Sequence, residues 1–546
     1  MTESTARLVV GGRAVEVPAG TPLHIALNEH GFHVETPCGA RGTCRKCRVR
    51  LGGDVPPPSA ADREHLSPAE LELGFRLSCQ HRAAGVLEVA ILPGGAADPR
   101  KAGLGRLSGH VPVEPWAPLH LAPRGARPVG LAVDLGTTTI VAALLDLETG
   151  EELGAATLPN PQSVYGADLM SRLTHAMAGP DERRALQALA VRAVAYLSRR
   201  LLRRAGLPPE AAVAAAVVGN TAMHHLFLGL PVEGLAVAPY RPVVRGGLDT
   251  PAAALGDLGI HPQAPVHTLP VVAGFVGADA VACALAAGLD RTGETVLVVD
   301  IGTNGEAVLA HRGELWAASA PAGPAFEGGE LSMGMRAGPG AVESVEWDGA
   351  GLRVGVAGGD RAVARGVCGS GLLDAAQVLL ATGALDPDGR LHARGPLAGR
   401  IREGAWEGLA FVLAEPPGEP TVVLTQRDLR QLQLAKGAVR SGVEVLLRSA
   451  GVTPAELDAV LLAGGFGNYL RREAALATGL LPQVPPERVV PAGNLAAQGA
   501  KLALLSREAR RRAAVLAQRI RHVDLATHPD FEAVFMAALA FPAGVR

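Results

Sequence analysis

Aromatic residues are scarce in this chain, 3% of 546, and lysine is nearly missing, with Lys46, Lys101, Lys436 and Lys501 as its whole complement. None of these lysines follows a glycine, which excludes a phosphate loop of the form GxxxxGK[ST]. Net charge is lacking too: 51 basic against 53 acidic residues leave −2, so no global field draws nucleic acid or an anionic membrane. No long uninterrupted apolar run occurs. The longest candidate, TLPVVAGFVGADAVACALAAGL (268–289), is broken by Pro270, three glycines and Asp279. A membrane helix needs about 20 nearly unbroken apolar residues, so this stretch reads as strand, turn and helix. The start, MTESTARLVV, has no basic-then-apolar signal layout, and the expected compartment is the cytoplasm. With six cysteines and no export signal, metal or redox duty is expected rather than structural disulfides.

What is present is Ala, Gly, Leu and Val in a chain that is 48% apolar, an α/β composition. At roughly 150 residues per domain the length predicts about three or four domains. Cysteine is concentrated in CGARGTCRKC (38–47), with Cys38, Cys44 and Cys47, and a further Cys79 stands in LSCQ. RLVVGGRAVEVP (7–18) alternates like a hairpin with glycines at its turn. TPLHIALNEHG (21–31) reads as a helix capped by Thr21, with Pro22 at its first position and Gly31 as its stop. The strand CRVRLGG, a short helix near 67–74, the late cysteine and the strand GVLEVAIL close the unit.

Four thiolates converging on two irons need three ligands from one tight loop and a fourth from a distant segment. Gly39 and Gly42 let the backbone curl and turn N–H groups toward negative sulfurs. The order of elements is similar to a β-grasp ferredoxin. The five-residue gap between Cys38 and Cys44 exceeds the plant-type four and resembles the adrenodoxin-like branch of [2Fe–2S] ferredoxins. A structural zinc site is the alternative, but it usually brings two CxxC knuckles and only Cys44-x2-Cys47 is present. Arg41, Arg45 and Arg48 either offset cluster charge, dock a partner, or are simply solvated.

From 94 to 128 the composition shifts to Pro, Gly and Ala, a tether with reach and some stiffness, with room for one short strand at its centre. An internal repeat follows. VGLAVDLGTTTIVAALLDLETGEELGAAT (129–157) matches TVLVVDIGTNGEAVLAHRGELWAASA (295–320) in strand, Asp-x-Gly-Thr turn, strand, polar turn and strand. A repeat at domain scale predicts two halves facing each other across a cleft. Each turn suits phosphate: glycine lets the backbone approach an anion, and the Thr or Asn beyond it supplies donors. Asp134 and Asp300 would repel phosphate unless a hard cation such as Mg²⁺ bridges them. A third glycine turn follows the strand in LDAVLLAGGFGNYL (457–470).

DLGTTT, DIGTNGE and LAGGFG in this order resemble the ATPase fold of actin, sugar kinases and heat-shock chaperones. The resemblance implies ATP between two lobes, with Asp134, Gly136, Thr137 and Thr138 in one phosphate loop. Asp300, Gly302, Thr303 and Asn304 match the other loop, and Gly464, Gly465 and Gly467 the adenosine turn. Further stretches narrow the match: VGNTAMHHLFLG (218–229), GFVGADAVA (274–282), PAFEGGELSMGMRAGPGAV (324–342) and GVCGSGLLDA (366–375). With the N-terminal unit they resemble ferredoxin-linked reductive activators of corrinoid proteins. The likeness covers nearly the whole chain, although the connector leaves no room for the extra domain some relatives carry.

The expected architecture is therefore multidomain α/β: a β-grasp [2Fe–2S] ferredoxin at 1–93, a linker at 94–128, and a duplicated actin/sugar-kinase-like ATPase with lobes at 129–290 and 291–546. The family implies ATP-dependent electron transfer from the cluster to a corrinoid protein or corrinoid-dependent methyltransferase, returning Co(II) to Co(I). No residue pattern names the upstream donor, and the superfamily extends the expectation to a homodimer. Two rivals remain: a small-molecule kinase with an attached ferredoxin, and an electron carrier with a regulatory nucleotide site. Activators of 2-hydroxyacyl-CoA dehydratases share the ATPase fold but lack this N-terminal unit. Glu327 and Glu330 lie in a glycine-rich loop, where Glu327 is the candidate to orient attacking water. His224 and His225 read as core or helix-surface residues, Cys283 as packing, and Cys368 as the start of a turn that is either structural or anion-receiving.

Overall fold

The computed structural model describes residues 5–32, 34, 36, 40, 42, 47–66, 68–91, 113–114, 116–166, 168–359, 362–404, 406, 408–465 and 470–543. The N-terminal strands β1 (Thr5–Val10), β2 (Arg13–Pro18), β3 (Arg48–Gly53), β4 (Phe75–Leu77) and β5 (Val86–Ile91) form one sheet in the order β2-β1-β5-β3-β4. In β1 the period of two turns Ala6, Leu8 and Val10 inward. They pack with Leu23 and Leu27 of the helix Leu23–Glu29 and with Leu77 and Leu87. Each fully buried leucine is worth about 1.5–3 kcal/mol. That helix begins one residue later than expected. Pro22 is its N-cap, and the Thr21 hydroxyl donates to the Pro18 carbonyl at 2.7 Å instead of capping. The short helix expected near 67–74 is Pro68–Glu72, and a further helix, Ala60–His65, precedes it. Cys79 sits in a 3-10 turn, Ser78–Gln80.

The next sheet contains β6 (Val129–Leu135), β7 (Thr139–Asp146), β8 (Glu152–Pro159), β9 (Ala212–Val218), β10 (Leu248–Pro251) and β11 (Pro265–Thr268), in the order β10-β11-β9-β6-β7-β8. A third sheet begins with β12 (Val296–Ile301), β13 (Gly305–His311) and β14 (Glu314–Ala320). Two small sheets interrupt it: β15 (Ala341–Trp347), β16 (Leu352–Val356) and β17 (Gly366–Val367), then β18 (Ile401–Glu403), β19 (Leu409–Ala414) and β20 (Val422–Thr425). The chain then returns with β21 (Ala459–Ala463), β22 (Val489–Gly493) and β23 (Ile520–His522), giving the order β22-β21-β12-β13-β14-β23.

The two large sheets repeat one plan. The strand carrying Asp-x-Gly-Thr, β6 or β12, pairs antiparallel with the next strand and parallel with a much later one, β9 or β21. A 25-residue helix covers each meander: Pro180–Arg204 lies on β7 and β8, and Gln426–Ala450 on β13 and β14. Gly437 admits Leu539 and Phe535 against the second helix, where a Cβ would crowd them.

The opposite sheet faces share one core. Ala143 and Leu145 of the first sheet and Val298 and Val308 of the second meet around the helices Ala278–Ala286, Leu495–Leu505 and Arg507–Arg519. Leu495–Leu505 lies in the second-lobe stretch of the sequence yet packs on β6 and β9 of the first sheet. Gly499 permits this approach: a Cβ there would lie 2.3 Å from the Ala282 carbonyl oxygen. The end of the proline-rich connector joins the same body. Trp116 donates its indole N–H to the Ala503 carbonyl at 3.0 Å, and Leu119 and Leu121 pack on the shared core. Among the described residues no helix is long and apolar enough to cross a membrane.

Candidate functional site

In the N-terminal unit, Cys47 and Cys79 come together with their sulfurs 3.2 Å apart and no disulfide between them. Cys47 is buried. The Gln80 amide donates to Cys79 Sγ at 3.3 Å and to the Ala40 carbonyl at 2.8 Å, spanning from the late cysteine to the loop. Ala40 and Gly42 both adopt left-handed backbone, with φ of 61° and 82°. A Cβ at Gly42 would crowd Ala61 and the Gln80 side chain, so the residue must be glycine for the loop to close there. Cys38 and Cys44, like Gly39, Arg41 and Arg45, lie outside the described residues. Two paired thiols, with left-handed backbone at Ala40 and Gly42 nearby in sequence, fit an iron–sulfur cluster. Arg48 pairs with Glu70 and lies over the Phe75 ring.

A buried carboxylate fixes the Cys79 segment. Asp62 accepts from the Leu77 and Ser59 N–H groups, each at 2.7 Å, and lies 2.6 Å from His81 Nε2. Burial pushes its carboxyl up, but these hydrogen bonds outweigh it, His81 first, and hold it at about 2.

Between the two large sheets lies a cleft. Asp134, Gly136, Thr137, Thr138, Asp300, Gly302, Thr303, Asn304, Glu327, Gly464 and Gly465 all line it, whereas Gly467 lies outside the described residues. The two Asp-x-Gly-Thr turns, separated in sequence by a whole domain, face each other directly. Thr303 donates its hydroxyl to Glu327 Oε1 at 2.9 Å, so its oxygen accepts the Thr138 hydroxyl, 2.6 Å away. Arg336 reaches the Thr138 carbonyl at 3.3 Å. Gly464 presses on the second turn; a Cβ would meet Asp300 Oδ1 and the Ile301 carbonyl, both at 2.6 Å. Glu330, by contrast, is exposed.

Residues that the sequence patterns did not single out complete the site. Asn220 follows the buried strand β9 and Asn494 the partly exposed strand β22, and each caps a helix, accepting from Met223 N at 3.0 Å and Ala497 N at 2.8 Å. Each uses its amide N–H₂ on the cleft: Asn220 donates to Thr137 Oγ1 at 2.9 Å and Asn494 to Asp134 Oδ2 at 2.8 Å. Cys283 is the packing residue expected, fully buried, and it also donates its thiol to Asp300 Oδ2 at 3.2 Å. Each lobe's strand-end aspartate is therefore held by a residue from across the cleft or beyond the second sheet. Cys368, Gly369 and Ser370 line the cleft too, where the helix Gly369–Ala381 begins.

Besides Glu327, four carboxylates line this space: Asp134, Asp279, Asp300 and Glu306. Burial pushes Asp134 up to about 7, the Asp300 charge adds to it, and the Asn494 amide opposes it. Asp279 is likewise pushed up to about 7, by burial first and then by Asp300 and Asp134. Burial raises Asp300, and burial with the Asp279 and Asp300 charges raises Glu306 well above the carboxylate range. Such crowding fits a divalent cation, which lowers the cost of ionising them. Among the described residues no three His, Cys, Asp or Glu side chains converge on one metal point. Asp134 and Asp300 are the residues here that could hold a hydrated hard cation. His224 and His225 are core residues: burial drives His224 down to about 3, and His225 Nδ1 bonds the Thr221 carbonyl at 2.9 Å.

The fold and the two sites together define a class: a ferredoxin-like module joined to a two-lobed body of the actin, sugar-kinase and heat-shock type. Three family models match, described as the 2Fe-2S iron-sulfur cluster binding domain over residues 9–84, the RACo middle region over 129–292, and the C-terminal domain of RACo, the ASKHA domain, over 294–545. The corrinoid activation enzyme RamQ of Eubacterium limosum is 33% identical over 426 residues, covering 76% of this chain and 70% of RamQ. The [Co(II) methylated amine-specific corrinoid protein] reductase of Methanosarcina barkeri is 25% identical, covering 76% and 77% of the two chains. A solved reductive activator for corrinoid,iron-sulfur protein superposes with a TM-score of 0.73 at 29% identity, covering 98% of both chains. The chain belongs to the RACo family of corrinoid activation enzymes.

Proposed function

We propose that this protein is an ATP-dependent reductive activator that returns a corrinoid protein's cobalt from Co(II) to Co(I). The observation that carries the reading is the cross-cleft pairing of Thr138 and Thr303 in a chain whose first module brings Cys47 and Cys79 together. Electron carrier and nucleotide clamp would then act within one polypeptide. Cys38, Cys44, Cys47 and Cys79 would hold a [2Fe–2S] cluster, which when bound supplies one-electron chemistry at about −400 mV for the plant type.

The ATP cleft answers an energetic need. Re-forming Co(I) is uphill from an ordinary ferredoxin, and every ~59 mV of shortfall costs about a factor of ten. Two or three such steps amount to about 3–4 kcal/mol, within the reach of a conformational bias of about 5 kcal/mol. In the cleft, the N–H groups of both turns receive the phosphates and Asp134 and Asp300 anchor hydrated Mg²⁺. Glu327, fixed by Thr303, orients the attacking water, and Gly464, Gly465 and Gly467 accommodate the adenosine. Nothing on the protein needs to be phosphorylated: closing the lobes on nucleotide changes how the corrinoid partner is held.

The test combines spectroscopy with titration. Dithionite-reduced protein should give the EPR signal of a [2Fe–2S]⁺ centre, lost in Cys47→Ala and Cys79→Ala. Adding a Co(II) corrinoid protein should then yield Co(I) with Mg-ATP and little without it. Equal yields without nucleotide, or a phosphorylated metabolite as product, would overturn the reading.

A further inference from the structure

Among the described residues, the ferredoxin-like module meets the ATPase body at a contact that leads straight to the first phosphate turn. The helix Leu23–Glu29 packs against the turn Pro161–Val164, and Arg192 Nη1 donates to the Glu29 carbonyl at 3.0 Å. The Glu29 charge also reaches Tyr165, at the end of that turn. Immediately before the turn stands Asn160, buried to 1% exposure. Its amide donates to the Gly136 carbonyl at 2.8 Å, and its backbone N–H donates to the Thr138 carbonyl at 2.8 Å. Its side-chain oxygen accepts from Gln162 N at 3.0 Å, and its amide also reaches Gln162 Oε1 at 3.3 Å. Gln162, fully buried, donates to the Leu186 carbonyl at 2.9 Å, on the same helix as Arg192.

The bonds of Asn160 and Gln162 lie in a close-packed interior, where displacement of one member moves the next. Two features meet at the phosphate turn: Gly136, Thr137 and Thr138 line the cleft, whereas Asn160, which is not among the lining residues, bonds the same turn.

We propose that the face made by Pro161–Val164 and Arg192 is a nucleotide-responsive seat for the helix Leu23–Glu29, connected to the phosphate turn through Asn160 and Gln162. Phosphate drawing the Gly136–Thr138 turn toward the cleft lengthens its bonds to Asn160, shifts the Pro161–Val164 turn and loosens the seat. The ferredoxin-like module is released toward its electron acceptor when nucleotide is bound. The inference rests on the ATPase reading above and assigns the route by which the nucleotide acts. Linkage requires the reciprocal effect: weakening the seat must tighten nucleotide binding by the same factor.

Hydrogen exchange on the cluster-loaded, full-length protein tests this, with Mg-ADP as the probe. Amides of 134–139 should become protected, while those of the helix Leu23–Glu29 should exchange about fivefold faster, the lower end of typical couplings. Gln162→Ala should keep the first change and lose the second. Arg192→Ala alters an exposed side chain, and so keeps the fold; its helix amides should exchange fast already without nucleotide, with little further change. Protection at 134–139 with unchanged or slowed exchange at Leu23–Glu29 overturns the inference and leaves the ATPase reading standing. Absence of protection at 134–139 overturns both.

Discussion

Thr138 and Thr303, one from each copy of a duplicated turn, share a hydroxyl hydrogen bond of 2.6 Å across the cleft, and Thr303 passes its own proton-donating capacity to Glu327. Hydroxyl, hydroxyl and carboxylate form a short directed chain linking both phosphate turns to the candidate water-orienting residue. Thr303→Val removes the central member while keeping the side chain's shape. Losing a hydrogen bond to a charged group should lower kcat/KM for ATP hydrolysis about 10- to 100-fold. Steady-state ATPase kinetics check this, and a variant as active as the parent would show that the chain is not used.

Asn494 separates capping from catalysis. Asn494→Asp keeps a side-chain oxygen for Ala497 N but replaces the amide that donates to Asp134 with a second carboxylate. Melting temperature should therefore hold while ATPase activity collapses. Asn494→Ala loses both, with a stability cost of about 1 kcal/mol for the missing cap. The pH for half-maximal ATPase should rise in both variants, because the amide that opposes the upward push on Asp134 is gone.

Nucleotide stabilisation should depend on pH with a definite sign. Asp134 and Asp279 are pushed up to about 7, so the folded protein without nucleotide holds protons that the unfolded chain has already released between about pH 4 and 7. Its stability should fall as pH rises through that window. A cation favours the ionised carboxylates, so the melting shift produced by Mg-ADP should be larger near about pH 8 than near about pH 5.5. Equal shifts at the two values would remove the cation from the site.

In the ferredoxin-like unit, Asp62 should govern retention of the cluster. Its carboxyl, held at about 2, contributes stability that is present above the ordinary carboxylate value and lost as pH falls through about 2. Asp62→Ala leaves the Leu77 N–H and His81 without their acceptor, at a cost of about 1–3 kcal/mol. The visible absorbance of the cluster should bleach at lower urea in this variant, with ATPase activity unaffected. Bleaching at the parent's urea concentration would show that Asp62 does not hold the Cys79 segment.

Much of this molecule was legible in one dimension because its signals are local. The DLGTTT and DIGTNGE turns, the glycine after LLAG and the cysteine spacing each occupy a few consecutive residues, and the strands around them carry unbroken apolar runs. The helix Leu23–Glu29 starts one residue later than its sequence suggests, with Pro22 at the N-cap and the Thr21 hydroxyl donating to the Pro18 carbonyl. Asn220, Asn494 and, in its second role, Cys283, a residue expected only to pack, escaped notice for a different reason. Each looks like an ordinary cap or core residue among its neighbours, and its second partner lies far away; Asn494 and Asp134 are 360 positions apart.

Short-range stereochemistry and apolar periodicity, both written in contiguous residues, were enough to specify the strands, the glycine turns and the kinds of chemistry each turn can hold. Which donors face which carboxylates was left to the packing of two sheets around the helices Ala278–Ala286 and Leu495–Leu505. Only that shared core brings Thr138 to Thr303 and Asn494 to Asp134, because a hydrogen bond acts over about 3 Å and nothing in the order of residues encodes so short a distance across hundreds of positions.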